Sequence, residues 1–472
     1  MTVASRKFDP HWTTRHTPLK NYLRTLSDDI ASGEGRTRAR SSSVQENFER
    51  AVEAIMLDLF RAHAAYPKIV VGIGTNRNAL QAASRSIYGT PLLAPRVFEP
   101  ALEGLLNAGA VHQTHQHWHE PGGKENRTAR YRVSETAITA LRRAGACPAV
   151  LRRCPRSQTI LLRNRQKDLV EYEDCEFTGL ARERLAVING RLSQHWYDLA
   201  LPDARLARHL SAVRERREDE ATHPFDFSAR QLYRVFNNGS WQQGGRFYGG
   251  WWTGAPRELR PYIEIDGKRT VEVDYSGLHA AMLYAEAGLE TPDDPYARCV
   301  TYSGSAQERD LVKRTFVALL NANNGNRARE FADFKNIITT RSWKQYKSFI
   351  VASFPELSSN FGTGVGCRLQ HPDSQLAEAV MLDFAQRGYP CLPVHDSFIV
   401  HQGLEDQLVA AMRDAFKARF GINITVKVRH GILYQPEMSD SLQPLDDNIE
   451  DILYSLEGYE ARLQGWWELG HA

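Results

Sequence analysis

The spacing of apolar residues divides the chain into stretches of helical and of strand period. Phe48, Val52, Ile55 and Leu59 recur at helical spacing and predict an amphipathic helix over 44–64. A shorter helical piece falls near 78–87. Pro95 opens a third helix, striped by Val97, Ala101, Leu102, Leu105 and Leu106 and stopped by Gly109. Strands are predicted over 110–118 and 127–133, with the polar turn Glu120-Pro121-Gly122-Gly123-Lys124 between them. A basic-rimmed strand around Ile160-Leu161-Leu162 precedes a helix predicted over 178–199. Ile263-Glu264-Ile265 and Val271-Glu272-Val273 alternate in period two around Asp266-Gly267, a hairpin signal. The second of these strands runs straight into Asp274, and after Gly277 the pattern turns helical with Leu278, Met282 and Leu283. Helices are predicted over 306–322, 327–356, 373–386 and 406–419. Between the last two, Leu392-Pro393-Val394 and Phe398-Ile399-Val400 flank His395-Asp396, a hairpin with an aspartate at its tip.

Composition narrows this little. The 472 residues are 42% hydrophobic, enough for several cores, and carry a net charge of +3, so nucleic-acid binding must rest on local patches. Six scattered cysteines, none in a Cys-x-x-Cys pair, argue against a zinc ribbon or a disulfide framework. No apolar run reaches transmembrane length and the first residues lack a signal-peptide core, so a cytoplasmic protein is expected. The chain is expected to be α+β: a flexible basic arm over 1–42, a winged-helix-like nucleic-acid-binding domain over 43–145, and a basic connector or thumb over 146–228. A catalytic core over 229–436 and an acidic tail over 437–472 follow. In the winged-helix reading, 95–108 is the recognition helix and the hairpin is the wing, with Arg96, Lys124, Arg127, Arg130 and Arg132 facing phosphates. A packing module is the bland alternative. His115, His117 and His119 share one strand face, more simply a solvated face than a metal site, and Gly72-Ile73-Gly74 lacks the context of a phosphate loop.

The chemistry lies in the spacing of the later residues. Asp274 alone is equally an acidic residue at a helix start. But Asp274 and Asp396, some 120 residues apart, each stand at a strand tip. Between them Arg309, Lys313, Val317 and Asn321 form one line along a helix, with two cations and no interleaved acid, which suits a triphosphate. Two carboxylates clamping two Mg²⁺ ions roughly 3.5–4 Å apart, opposite such cations, are the parts that phosphoryl transfer from a nucleotide requires. The stretch 236–252 is rich in glycine and aromatic rings around Arg246, a composition that lets backbone approach a ligand and offers faces for bases.

Four of these stretches resemble a superfamily, the family A DNA polymerases and the bacteriophage-type single-subunit RNA polymerases. Asp274-Tyr275-Ser276 is similar to the first palm motif, Arg309-x-x-x-Lys313-Arg314 to the fingers helix, His395-Asp396-Ser397-Phe398 to the RNA-polymerase form of the last palm motif, and Gly245-Arg246 to an element set against the growing duplex. The resemblance covers about 236–434. It implies a right-hand palm and fingers core that extends a nucleic-acid 3′ end, with DNA primer-template and nucleoside triphosphates as partners. It implies two Mg²⁺ ions on Asp274, Asp396 and the Tyr275 carbonyl, and a triphosphate held by Arg309, Lys313 and Arg314, with Lys313 as general acid. Arg246, Tyr248 and His395 are implied against nucleic acid, and His279 and Asn321 in sugar selection. His279 stands where family A has its steric-gate glutamate, and Asn321 replaces the tyrosine eight residues after the lysine. The bulk of His279 favours dNTPs and so a DNA polymerase; Lys313-Arg314 and His395–Phe398 favour a single-subunit RNA polymerase or primase. A non-catalytic DNA-binding replication initiator or regulator is the remaining alternative.

Overall fold

The computed structural model describes residues 5–119, 126–155, 157–208, 225–299, 306–323, 342–430 and 455–469. In the N-terminal unit the elements run β1 (Ser5–Lys7), β2 (Trp12–Thr14), α1 (Thr17–Gly33), α2 (Ser42–Ala65), β3 (Val70–Gly72), α3 (Arg77–Arg85), α4 (Pro95–Asn107), β4 (Val111–His115), β5 (Trp118–His119), β6 (Asn126–Arg127), β7 (Arg130–Val133) and α5 (Glu135–Arg143). The connecting stretch carries β8 (Leu151–Arg153), β9 (Ile160–Leu162), α6 (Glu176–Leu192) and β10 (Tyr197–Leu199). The C-terminal half carries β11 (Tyr233–Asn237), β12 (Ser240–Tyr248), β13 (Ile263–Ile265), β14 (Lys268–Tyr275), α7 (Leu278–Glu286), α8 (Ala306–Asn321), α9 (Trp343–Ser353), α10 (Gly366–Gln386), β15 (Leu392–Val394), β16 (Ser397–His401), α11 (Glu405–Phe420), β17 (Val426–His430) and α12 (Glu457–Glu468).

Two hydrophobic cores result. In the first, α2 is buried on nearly every side from Phe48 to Ala62 and lies under the sheet β1-β3-β7-β4, with α1, α4 and α5 around it. Helices α2, α3 and α4 and the β4–β7 hairpin follow in the order the apolar stripes predict, with β3, which those stripes do not predict, between the first two helices. The expected basic arm over 1–42 is corrected. β1 pairs in parallel with β3, Arg6 bonds Asp58 at 2.9 Å, and Leu19, Leu23 and Ile30 bury one face of α1. Those three leucine and isoleucine positions have helical spacing, which the surrounding charge obscures.

The connector over 146–228 is likewise shared out rather than separate. β8 pairs with β2, β9 with β11, and β10 with β13. Helix α6 stops at Leu192 instead of continuing to 199, because Trp196 and then Tyr197 and Leu199 of strand β10 are drawn into the larger core. At the other end of the chain, 457–468 is a helix rather than an acidic tail. It is anchored by buried Trp466 and by Arg462 bonded to Asp198 at 2.8 Å. Residues 437–454 and 470–472 of the expected tail, Lys124, the side chain of Arg127 and all of 327–341 lie outside the described residues.

The sheet that positions the site has the order β10-β13-β14-β16-β15, with β17 also paired to β14. Asp266 and Gly267 both take positive φ, 53° and 73°, and close the β13–β14 hairpin as the Asp-Gly pair predicts. Gly277, at φ 64°, turns the chain from β14 into α7. β15 and β16 form the second hairpin, with His395 at φ 57°. Helices α7, α10 and α11 pack on this sheet through Met282, Leu376, Met381, Leu408 and Met412, all 2% exposed or less.

Candidate active site

Antiparallel pairing of β14 with β16 sets Asp274 opposite Ser397, one residue beyond Asp396. The Tyr275 amide donates to the Asp396 carbonyl at 3.2 Å. The two aspartates predicted from strand patterns thus meet at one end of the sheet. Their mutual repulsion has an electrostatic trace. Burial first, and then the Asp396 charge, push the Asp274 carboxyl up to about 6, against the pull of Arg429 and Lys313. Arg429, on β17, donates to Asp274 Oδ2 at 2.7 Å. Two residues earlier on β14, Glu272 accepts from Ser397 Oγ at 2.6 Å and from Arg260 at 2.9 Å. The Tyr275 ring faces the core, and its hydroxyl donates to the Met412 carbonyl at 2.7 Å.

Arg246 reaches the site through a β-bulge. β11 pairs Val235 with Arg246 but Phe236 with Gly244, so Gly245 is an extra residue on β12. At Gly245, φ is 87°, and a Cβ would stand 2.7 Å from Ser374 Oγ and 2.8 Å from the Phe236 ring. Only glycine lets β12 press this closely on α10. Buried Arg234 fixes the bulge, donating to Gly245 O at 2.9 Å, Glu378 at 2.7 Å and Ser374 at 3.1 Å. Arg246 then donates to Asp373 Oδ2, 2.8 Å from Nε, and its Nη2 stands 3.5 Å from His279 Nε2. Asp373 is 3% exposed; burial and the nearby Asp396 raise it to about 6, against Arg246. Burial and the Arg246 cation push His279 down to about 4, so its ring is neutral at pH 7.

The fingers-helix expectation is partly corrected. Arg309 is bound by Asp294 from the preceding loop, one bond being 3.0 Å, and Arg314 by Asp310 at 2.8 Å. The acid-free line on α8 is real in sequence, but the acids come from off the line. Lys313 is exposed, has no carboxylate within ion-pair distance among the described residues, and acts on Asp274 through its charge. Asn321 Nδ2 donates to Val317 O at 2.9 Å, and its Oδ1 lies against Gly366 at the start of α10. Tyr248 is 39% exposed and stacks on Tyr233, centroids 6.1 Å apart; His395 is exposed on its turn. Far from these, in the N-terminal unit, Arg96 is exposed and Arg130 half-buried, while Arg132 donates to the Lys68 carbonyl.

Sequence reasoning missed Asp373, Arg429, Glu272 and Arg234. Glu272 is visible as a period-two neighbour of Asp274, facing the same way. The other three come from elements whose register against the two hairpins has no local signal. Among the described residues no group of three or more histidine, cysteine or acidic side chains has metal-binding geometry. The donor set at the sheet end is two carboxylates, a hard oxygen pair that suits Mg²⁺. A cation already sits on one of them, in the form of the Arg429 guanidinium.

No protein-family description and no curated protein matches the chain. Among solved structures it is similar to the POL domain of Pol1 from M. smegmatis in complex with DNA primer-template and dNTP, at 12% identity and a TM-score of 0.31. The match covers 87% of this chain and spans 65% of that one. No described helix is long and apolar enough to cross a membrane.

Proposed function

We propose that the protein is a template-dependent nucleotidyltransferase that adds deoxynucleotides to a DNA 3′ end. The observation that supports this is the convergence of Asp274 and Asp396 at one sheet end, with the Lys313 charge acting on Asp274 and Arg246 held nearby by Asp373. Each of these residues comes from a different part of the chain.

In this reading Asp274 and Asp396, with the Tyr275 carbonyl, hold two Mg²⁺ ions. When bound, the ions activate the attacking hydroxyl and neutralise charge on the phosphates. Arg429 would have to release Asp274 Oδ2 for that oxygen to serve as a metal ligand. Lys313 takes the triphosphate and donates a proton to the leaving pyrophosphate. Arg309 and Arg314, already bonded to acids, bind phosphate only by exchanging those partners, so Lys313 carries more of the load than the motif implies. Arg246, oriented by Asp373, lies against the duplex with Tyr248 and His395. His279, neutral and in place beside Arg246, crowds a 2′-hydroxyl, which favours dNTPs. Asn321, packed against α10, bounds the same nucleotide. The N-terminal unit, with its hairpin and Arg96, Lys124, Arg127 and Arg130, acts as a winged-helix-like module on nucleic-acid phosphates.

Primer extension on a DNA template with Mg²⁺ and either dNTPs or rNTPs tests the proposal. Extension with dNTPs is expected from the wild type and none from Asp396→Asn. Unprimed synthesis from rNTPs would replace it with a primase or RNA polymerase.

A further inference from the structure

A cleft of about 1000 Å³ lies on the seam between the N-terminal unit and the core, at the opposite end of the palm hairpin from the acidic pair. Asp266, in its wall, is separated from Asp274 by the length of β14, roughly 26 Å at the usual strand rise. Arg15 and Arg152 enter from the N-terminal side; Arg191, His195 and Arg230 from the core side. Against them the lining holds one carboxylate, Asp266, and it is already bonded to His195 Nδ1 at 2.6 Å and the Trp196 amide at 2.8 Å.

Arg230 is the unusual member. It is 7% exposed and has no carboxylate partner among the described residues. Its two terminal nitrogens donate to the Ala149 carbonyl at 2.8 Å and the His195 carbonyl at 3.1 Å, and its Nε has no partner. Its guanidinium lies over the Trp196 and Trp466 rings, 5.2 and 5.1 Å from their centroids. Burial lowers its pKa to about 10, which still leaves it charged at pH 7. Buried arginines without a carboxylate are costly unless a ligand supplies the anion. His195 Nε2 is also buried without a partner. Among the described residues Arg191 donates only to Gln194 at 2.7 Å and to a carbonyl, and Arg15 and Arg152 stand near enough to repel each other. A smaller cavity of about 550 Å³ shares Arg15 and Arg152 but also holds Glu46, Glu49 and Glu53, so the acid-poor lining belongs to the larger cleft.

We propose that this cleft binds phosphate esters, of a nucleic-acid strand or of a free nucleotide, at a site separate from the acidic pair. Planar guanidinium groups match phosphate oxygens bidentately, and the cleft is large enough for more than one nucleotide. The inference does not depend on the polymerase reading.

The full chain is tested in EDTA, which removes metal-dependent binding at the acidic pair. A fluorescein-labelled single-stranded oligodeoxynucleotide carrying a 5′ phosphate is titrated by anisotropy, with ATP as competitor. Arg152→Ala and Arg191→Ala, both on the accessible rim, should each weaken binding about tenfold while leaving Tm nearly unchanged. Arg230→Met should weaken it further; because that variant can also lose stability, the rim variants decide the matter. Displacement by ATP at micromolar concentration assigns the site to free nucleotides, and failure of ATP to displace the strand assigns it to the nucleic-acid backbone. Unchanged affinity for both oligonucleotide and ATP in the two rim variants would overturn the proposal.

Discussion

Arg429 reaches along the sheet from its own pairing position, opposite Glu272, to donate to Oδ2 of Asp274 at 2.7 Å. If Asp274 holds a metal ion as proposed, the guanidinium would have to release that oxygen. Removing it should therefore ease metal binding. In Arg429→Met the Mg²⁺ concentration for half-maximal thermal stabilisation should fall several-fold, read from Tm against Mg²⁺. A rise in that concentration would mean that Arg429 helps to hold the ion's ligands in place.

Asp274 gives a pH-dependent prediction. Its carboxyl is raised from 3.8 to about 6, so between those values the folded protein binds a proton that the unfolded chain does not. A raised acid destabilises the fold above its folded pKa; the penalty begins to ease as pH falls through about 6 and is gone only below 3.8. In EDTA, Asp274→Asn should be more stable than wild type at pH 7.5 by about 1–2 kcal/mol, and the gap should shrink by about half at pH 5. Chemical denaturation at the two pH values measures the difference. With Mg²⁺ present the order at pH 7.5 should reverse, because only the wild type gains from the ion.

Arg246 and Asp373 form a buried pair, and its two ends should fail differently. Arg246→Ala leaves a carboxylate that is 3% exposed without its partner, at a cost of about 3 kcal/mol at pH 8. Because Asp373 takes up a proton near 6, most of that loss should be recovered at pH 5. Arg246→Ala combined with Asp373→Asn should restore much of the stability at pH 8 without restoring nucleic-acid affinity.

The bulge at Gly245 is a more local matter. Gly245→Ala places a methyl group 2.7 Å from Ser374 Oγ and 2.8 Å from the Phe236 ring at a backbone conformation that alanine disfavours. A loss of about 2 kcal/mol or more is expected, together with displacement of Arg246, so both stability and binding should fall.

The parts of this site that were legible in the sequence are those set by local rules. Period-two strands around Asp266-Gly267 and around His395-Asp396 place the two aspartates at strand tips. Gly277 marks the change to helix. What joins those tips is strand order, and nothing within either hairpin encodes the pairing of β14 with β16 and β17. That is why Arg429 was invisible, and why Arg309 read as free when Asp294 waited in a loop. The same blindness applied to 5–33. Its apolar positions are sparse enough to read as a charged arm, yet α1 buries Leu19, Leu23 and Ile30 against α2 and α4. Long-range partners decide such segments, and single-chain periodicity does not report them.

The central claim is that Asp274 and Asp396 act as one metal-holding pair opposite Lys313. Single-nucleotide incorporation on a primed DNA template, with Mg²⁺ and dNTPs, tests it most directly when wild type is run beside Asp396→Asn and Lys313→Ala. Incorporation is expected from the wild type, none above background from Asp396→Asn, and at least a roughly tenfold slower rate from Lys313→Ala, with template binding unchanged in both variants. Incorporation by Asp396→Asn at the wild-type rate would contradict it.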